Sequence, residues 1–105
     1  MAKIRRCGKF YVYMVKCADG TYYTGYTSDL GKRLKRHNDG LASKYTRARL
    51  PVMLVWKKEY QQFKSAFKTE LVIKNLTRMQ KEALVRGKRL DKVLEDAKKH
   101  KRISG

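Results

Sequence analysis

An Asp19-Gly20 pair separates two short runs in which β-branched and aromatic residues dominate, Phe10–Cys17 and Thr21–Tyr26. That pattern commits the first quarter of the chain to a β-hairpin. The first run is apolar without strict alternation, which suits a strand covered on both faces. The length of the connecting loop then decides which side chains can meet. Directly opposed residues of an antiparallel pair share a face, and a slip of one residue sends every side chain to the other side. A two-residue Asp19-Gly20 turn would set Tyr13 against Tyr26 and Tyr23 against Lys16, leaving Tyr13 and Tyr23 on opposite faces. A three-residue loop, Ala18-Asp19-Gly20 with Gly20 left-handed, pairs Cys17 with Thr21 and brings both phenols to one face. We expect that loop or an equivalent bulge.

Downstream, Ser28 or Asp29 can cap a helix in which Leu30 and Leu34 share one face and most of the positive charge lies elsewhere. Arg33 and His37 flank the apolar stripe, placed to overlook a site. Lys32, Lys35 and Arg36 lie farther around, where the plain reading is a solvated face that touches phosphates at long range. Asn38-Asp39-Gly40 ends this helix. Residues Leu41 to Leu50 read as a loop carrying Lys44, Arg47 and Arg49 beside Tyr45, and Pro51 introduces a third strand over Val52–Trp56. A helix from about Ser65 to Asn75 follows. Another begins at Thr77, where Thr77 and Gln80 have capping-box spacing, and Gly87 ends it. Leu90, Val93, Leu94 and Ala97 recur at helical spacing before a basic tail, Lys98-Lys99-His100-Lys101-Arg102. The expected class is α+β, a compact sandwich with a three-stranded, mainly antiparallel sheet flanked by helices.

Charge narrows the partners. Against 27 Lys+Arg stand only 9 Asp+Glu, a formal net charge of +18 in 105 residues, and such a field most commonly serves a nucleic acid backbone. The bland alternative is a basic protein that touches anionic surfaces without purpose. A hydrophobic content of 42% rules out a wholly disordered polycation. No apolar run approaches a membrane span, and Met1–Arg6 is not followed by the apolar core of a signal peptide, so we expect a cytoplasmic protein without membrane contact. Cys7 and Cys17 have no His or Cys partners at zinc spacing and read as reduced packing residues.

Taken together, these residues resemble the GIY-YIG nucleases, especially small single-domain bacterial members, over nearly the whole chain. Tyr11-Val12-Tyr13 stands where that family has Gly-Ile-Tyr, and Tyr23-Thr24-Gly25 stands for Tyr-Ile-Gly. Arg33 and Glu70 fall where its helix arginine and metal-binding glutamate are expected. Tyr13, Tyr23 and Arg33 recur every ten residues and Glu70 follows 37 later, similar to the excision-repair incision nucleases of the family. The chain departs from the pattern at Tyr11, where the family's first glycine stands, and at Tyr26, where the repair nucleases carry a lysine; Lys44 is a candidate substitute for that cation. On this resemblance residues 1–87 form the nuclease-like domain and 88–105 a basic helix or tail extending the same domain.

The resemblance implies hydrolysis of phosphodiester bonds of DNA, in repair or processing, with one Mg²⁺ or Mn²⁺ held by Glu70. RNA and branched or single-stranded forms stay open as substrates, as does a protein partner for targeting. Tyr13 or Tyr23 would activate or position the attacking water, with Arg33 on the scissile phosphate. A phenol must shift by about three units, roughly 4 kcal/mol, to ionise substantially at neutral pH. His37 is either a proton relay or a cation at the helix C-terminus. Lys32, Arg36, Lys44, Arg47, Arg49 and the C-terminal cations would contact the backbone, and Tyr45 would stack on an unpaired base.

Helical spacing tests Glu70 separately. Its neighbours one turn away, Ala66, Phe67, Ile73 and Lys74, set it in a mainly apolar stripe. A carboxylate there needs a cation or a route to solvent. The ordinary alternative is a surface Glu70–Lys74 pair worth about 0.3–0.5 kcal/mol. The nine acidic residues are scattered, so a two-metal carboxylate cluster is not expected. From another class, the same features fit a noncatalytic basic nucleic-acid-binding module that retains the nuclease scaffold.

Overall fold

A computed structural model of the chain describes the backbone of residues 7–104 and the side chains of residues 9–97. The expectations for Met1–Arg6, for packing by the Cys7 side chain and for the side chains of Lys98, Lys99, His100, Lys101 and Arg102 lie outside the described residues. The chain divides into two units, Met1–Lys74 and Asn75–Gly105. In the first, strands β1 (Cys7–Lys16), β2 (Tyr22–Thr27) and β3 (Met53–Gln62) form one sheet in the order β2-β1-β3, antiparallel throughout. Helices α1 (Leu30–Asn38), α2 (Lys44–Arg47) and α3 (Phe63–Lys74) complete it. The second unit holds α4 (Arg78–Val85) and α5 (Leu90–Ser104). This is the α+β arrangement of a three-stranded antiparallel sheet flanked by helices.

Strand β1 is paired along both edges, and helices cover it: Leu30 and Leu34 of α1 pack on the side of Tyr13 and Val15, and α3 also lies against it. Val12, Tyr13, Met14 and Val15 are consecutive and all fully buried, which explains why the run does not alternate. Tyr13, Val15 and Cys17 form a core with Val52, against which Leu30 and Leu34 of α1 pack. Each fully buried aliphatic side chain here contributes about 1.5–3 kcal/mol. Cys17 is a free, buried cysteine, and burial pushes its thiol up, so it packs as a small hydrophobe. Helix α3 lies against all three strands.

The hairpin has the three-residue loop. The Cys17 amide donates to the Thr21 carbonyl at 2.8 Å, and the Gly20 amide to the Cys17 carbonyl at 2.9 Å. Gly20 takes φ +87°, a conformation open to glycine without cost. Asp19 accepts from both the amide and the hydroxyl of Thr21. Asp29, rather than Ser28, caps α1 by accepting from the Lys32 amide.

Three boundaries differ from the sequence reading. Strand β3 runs on to Gln62, well beyond Trp56, because its outer half is polar: Lys57, Lys58, Glu59, Gln61 and Gln62 are exposed. An edge strand carries such residues readily, and they hid it from a hydrophobic scan. It passes directly into α3, which therefore starts at Phe63. The expected loop over Leu41–Leu50 contains the single turn α2, capped by the Ser43 hydroxyl accepting from the Thr46 amide. The Thr77–Gln80 capping box is present in α4, and Gly87 follows that helix at φ +106°. Among the described residues no helix is long and apolar enough to cross a membrane.

Candidate active site

Register determines what gathers at the hairpin. Tyr13 pairs with Gly25 and Val15 with Tyr23, so Tyr13, Val15, Tyr23 and Gly25 share one face of the sheet. Gly25 leaves room for Tyr13 to lie across it. A Cβ at position 25 would stand 2.6 Å from the Tyr13 hydroxyl and 2.9 Å from its Cζ, closer than any side chain tolerates.

Tyr13 is fully buried, and its hydroxyl lies 2.8 Å from Nε2 of His37, which is also fully buried. The other imidazole nitrogen, Nδ1, lies 2.9 Å from the Thr46 hydroxyl. Thr46 in turn sits within hydrogen-bonding reach of the Ser43 hydroxyl and carbonyl. Burial pushes the Tyr13 phenol up to about 12, reinforced by Tyr23 and opposed by the Arg33 guanidinium, which also hydrogen-bonds to it. Burial likewise pushes His37 down, helped by the charge of Arg33. Both shifts favour the neutral forms, and His37 sits buried with both ring nitrogens partnered instead of facing solvent at the helix end. A neutral imidazole has one donor and one acceptor. The Thr46 hydroxyl donates to the Ser43 carbonyl at 3.4 Å, so it accepts from Nδ1–H, and Nε2 accepts from the Tyr13 hydroxyl.

Two expectations follow from this buried chain. In the unfolded state His37 binds a proton near pH 6.5, whereas the folded protein resists it. The unfolded chain thus holds more protons in that window, and stability falls as pH drops through 6.5. Urea midpoints measured across this range should decline in the wild type and less steeply in His37→Gln. Thr46→Val keeps the volume but strands Nδ1, which should cost about 1–3 kcal/mol. Thr46→Ser should recover most of it, as read from the urea midpoint at constant slope.

In front of Tyr13 opens a cleft of about 480 Å³, lined by Tyr23, Arg33 and Glu70 together with Gly25, Thr27 and Ser28. Phe10, Tyr26 and Phe63 line the rest. Glu70 is only 7% exposed, and its Oε2 lies 3.2 Å from Nζ of the half-exposed Lys74. The ion pair anticipated from sequence exists, yet its carboxylate belongs to the cleft and not to the surface. The Tyr23 ring meets His37 edge-on at 5.4 Å and stacks on Tyr45 at 6.0 Å. The Arg49 guanidinium lies over the Tyr45 ring, 4.0 Å from its centroid. The same guanidinium bonds Asp19 at 3.0 Å and the Tyr45 carbonyl at 2.7 Å.

Of the residues singled out in the sequence, Tyr23, Arg33 and Glu70 line one cleft. Tyr13 stands behind them within the influence of all three, and His37 lies one hydrogen bond farther back. Tyr45 stacks on Tyr23, and Arg49 lies over the Tyr45 ring. Lys32, Arg36, Lys44 and Arg47 are exposed on α1 and α2, and Arg36 donates to the Leu41 carbonyl. Thr46, Ser43 and the aromatic lining were not anticipated. The Ser43 cap was the available signal for the first two, since a serine before Lys44 marks a helix start.

The catalytic domain model of the GIY-YIG family matches residues 9–83. The chain is similar to UPF0213 protein YazA of Bacillus subtilis, 44% identical over 82 residues that cover 78% of this chain and 83% of that one. A UPF0213 protein of Halobacterium salinarum is 49% identical over 74 residues, covering 70% and 96% respectively. Among solved structures, the solution NMR structure of protein EF2693 from E. faecalis superposes with a TM-score of 0.53 at 35% identity, covering 79% of this chain and 88% of that one. With matches of that extent on the hairpin, α1 and α3 that build the cleft, this chain belongs to the GIY-YIG catalytic domain family.

Proposed function

We propose that the chain is a divalent-metal-dependent nuclease that hydrolyses phosphodiester bonds of DNA, acting in repair or processing. The observation that carries this reading is the convergence of a phenol, a guanidinium and a buried carboxylate, Tyr23, Arg33 and Glu70, on one cleft. In hydrolysis the water oxygen bonds to phosphorus while a phosphorus–ester bond breaks, and negative charge grows on the phosphoryl oxygens. Arg33 meets that charge with a planar fork of donors. Tyr23, in the cleft, positions the attacking water. Tyr13, buried and held neutral, instead orients Arg33 and passes its own hydrogen bond to His37.

Among the described residues Glu70 is the one carboxylate lining the cleft, and no group of three or more His, Cys, Asp and Glu side chains forms a metal cage. That donor set suits Mg²⁺ or Mn²⁺, hard ions that keep several waters and bind through one or two carboxylates plus phosphate. Glu70 would hold the ion, which when bound supplies charge neutralisation at the phosphate. Lys32, Arg36, Lys44 and Arg47 would contact the backbone without reading sequence.

The test incubates purified protein with supercoiled plasmid, branched DNA and RNA, with and without Mg²⁺, beside Glu70→Ala. We expect metal-dependent cleavage that Glu70→Ala loses while binding persists. Salt-sensitive binding with no cleavage of any substrate would favour the noncatalytic module instead. Unchanged products from Glu70→Ala would point to a contaminating enzyme.

A further inference from the structure

The cleft does not end at its charged groups. Phe63 meets Phe10 edge-on at 6.0 Å and Tyr26 edge-on at 5.4 Å, and it stacks on Phe67 at 5.8 Å with ring planes 18° apart. These contacts do not bury the rings: Phe63 is 46% and Phe67 41% exposed. Phe63 lines the cleft with Arg33 and Glu70, and Phe67 extends it outward by stacking on Phe63; aromatic surface left in water there is a feature that packing alone does not require. Phosphates gain nothing from a ring face, whereas every nucleobase has a π-face that stacks on one. In an intact duplex those faces are already covered by neighbouring bases. The charge of the protein brings a phosphate to the cleft, and the rings offer a surface to the base beside it.

We propose that Phe63 and Phe67 receive an unpaired base next to the scissile phosphate, so that the cleft takes single-stranded or unpaired segments in preference to intact duplex. The inference rests on the nuclease reading for the identity of the bound phosphate. It is tested by binding alone, so the two can fail separately. A purely electrostatic surface would favour duplex, whose charge density is higher.

The experiment measures binding in EDTA at fixed salt. A labelled single strand is compared with the same sequence as blunt duplex and with a strand of equal phosphate count carrying abasic residues. We expect the single strand to bind about tenfold more tightly than either control, on the order of one base stack. Phe63→Leu should erase that margin and leave duplex binding unchanged. Phe67→Leu serves the same purpose should Phe63→Leu not fold, with circular dichroism as the check. Equal affinity for the abasic strand, or a margin intact in a folded leucine variant, would overturn the proposal. A margin without Mg²⁺-dependent cleavage of that same single strand would overturn the nuclease reading and leave the stacking surface standing.

Discussion

Arg33→Ala is expected to lower single-turnover cleavage about 10²–10³-fold, the range found when one preorganised donor to a developing oxyanion is removed. The side chain lines the cleft beside Tyr23 and Glu70 and also holds the Tyr13 phenol. Its loss therefore removes charge from the phosphate and loosens the group behind it. Binding should weaken far less, since one contact among many cations is lost, and the salt dependence of binding should drop by about one phosphate's share. Arg33→Lys keeps the charge but not the planar fork, so it should recover only part of the rate. Cleavage at saturating protein, with binding measured in parallel at several salt concentrations, checks both.

Gly25→Ala should damage stability and cleavage together. The added methyl would stand 2.6 Å from the Tyr13 hydroxyl, and Tyr13 cannot retreat, because it is fully buried and its hydroxyl is bonded to His37. Overpacking of this kind costs about 1–3 kcal/mol. The displaced ring also leaves Nε2 of His37 without its donor and withdraws the support of Arg33. The urea midpoint should fall at unchanged slope, and the folded fraction should cleave more slowly than the wild type. A midpoint and rate equal to wild type would mean that the ring does not lie across Gly25.

The glycine of the second motif thus has a steric reason, one that spacing alone does not reveal. What the sequence made legible was the register: the Asp19-Gly20 signal and the need for a shared face led to the three-residue loop, which set Tyr13 and Tyr23 together. The cap at Thr77, a cap at Ser28 or Asp29, and the apolar spacing of Leu30 and Leu34 were legible for the same reason, being local chemistry with fixed offsets. The far half of β3 was not, because an edge strand tolerates lysine and glutamine and so loses its apolar signature. Nor was the fate of Arg49, which looked like a free cation until folding brought Asp19, thirty residues away, within 3.0 Å. The proposed division of labour between the tyrosines draws on depth as well as face. Both phenols share a side of the sheet, yet only burial, which drives Tyr13 up to about 12, separates a supporting phenol from one open to water. The aromatic part of the cleft was hidden similarly, since Phe10, Tyr26 and Phe63 come from three elements that only the fold brings together.

The central claim is that Arg33 and Glu70, carried by different helices, act on one and the same phosphate. A kinetic double-mutant cycle with Arg33→Ala, Glu70→Gln and the combined variant measures this most directly, using single-turnover cleavage of one oligonucleotide in Mg²⁺. Groups that work as a unit are strongly non-additive, so the combined variant should cleave no more slowly than the slower single variant. Losses that multiply across the two positions would mean that these side chains serve separate events, and would contradict the shared site.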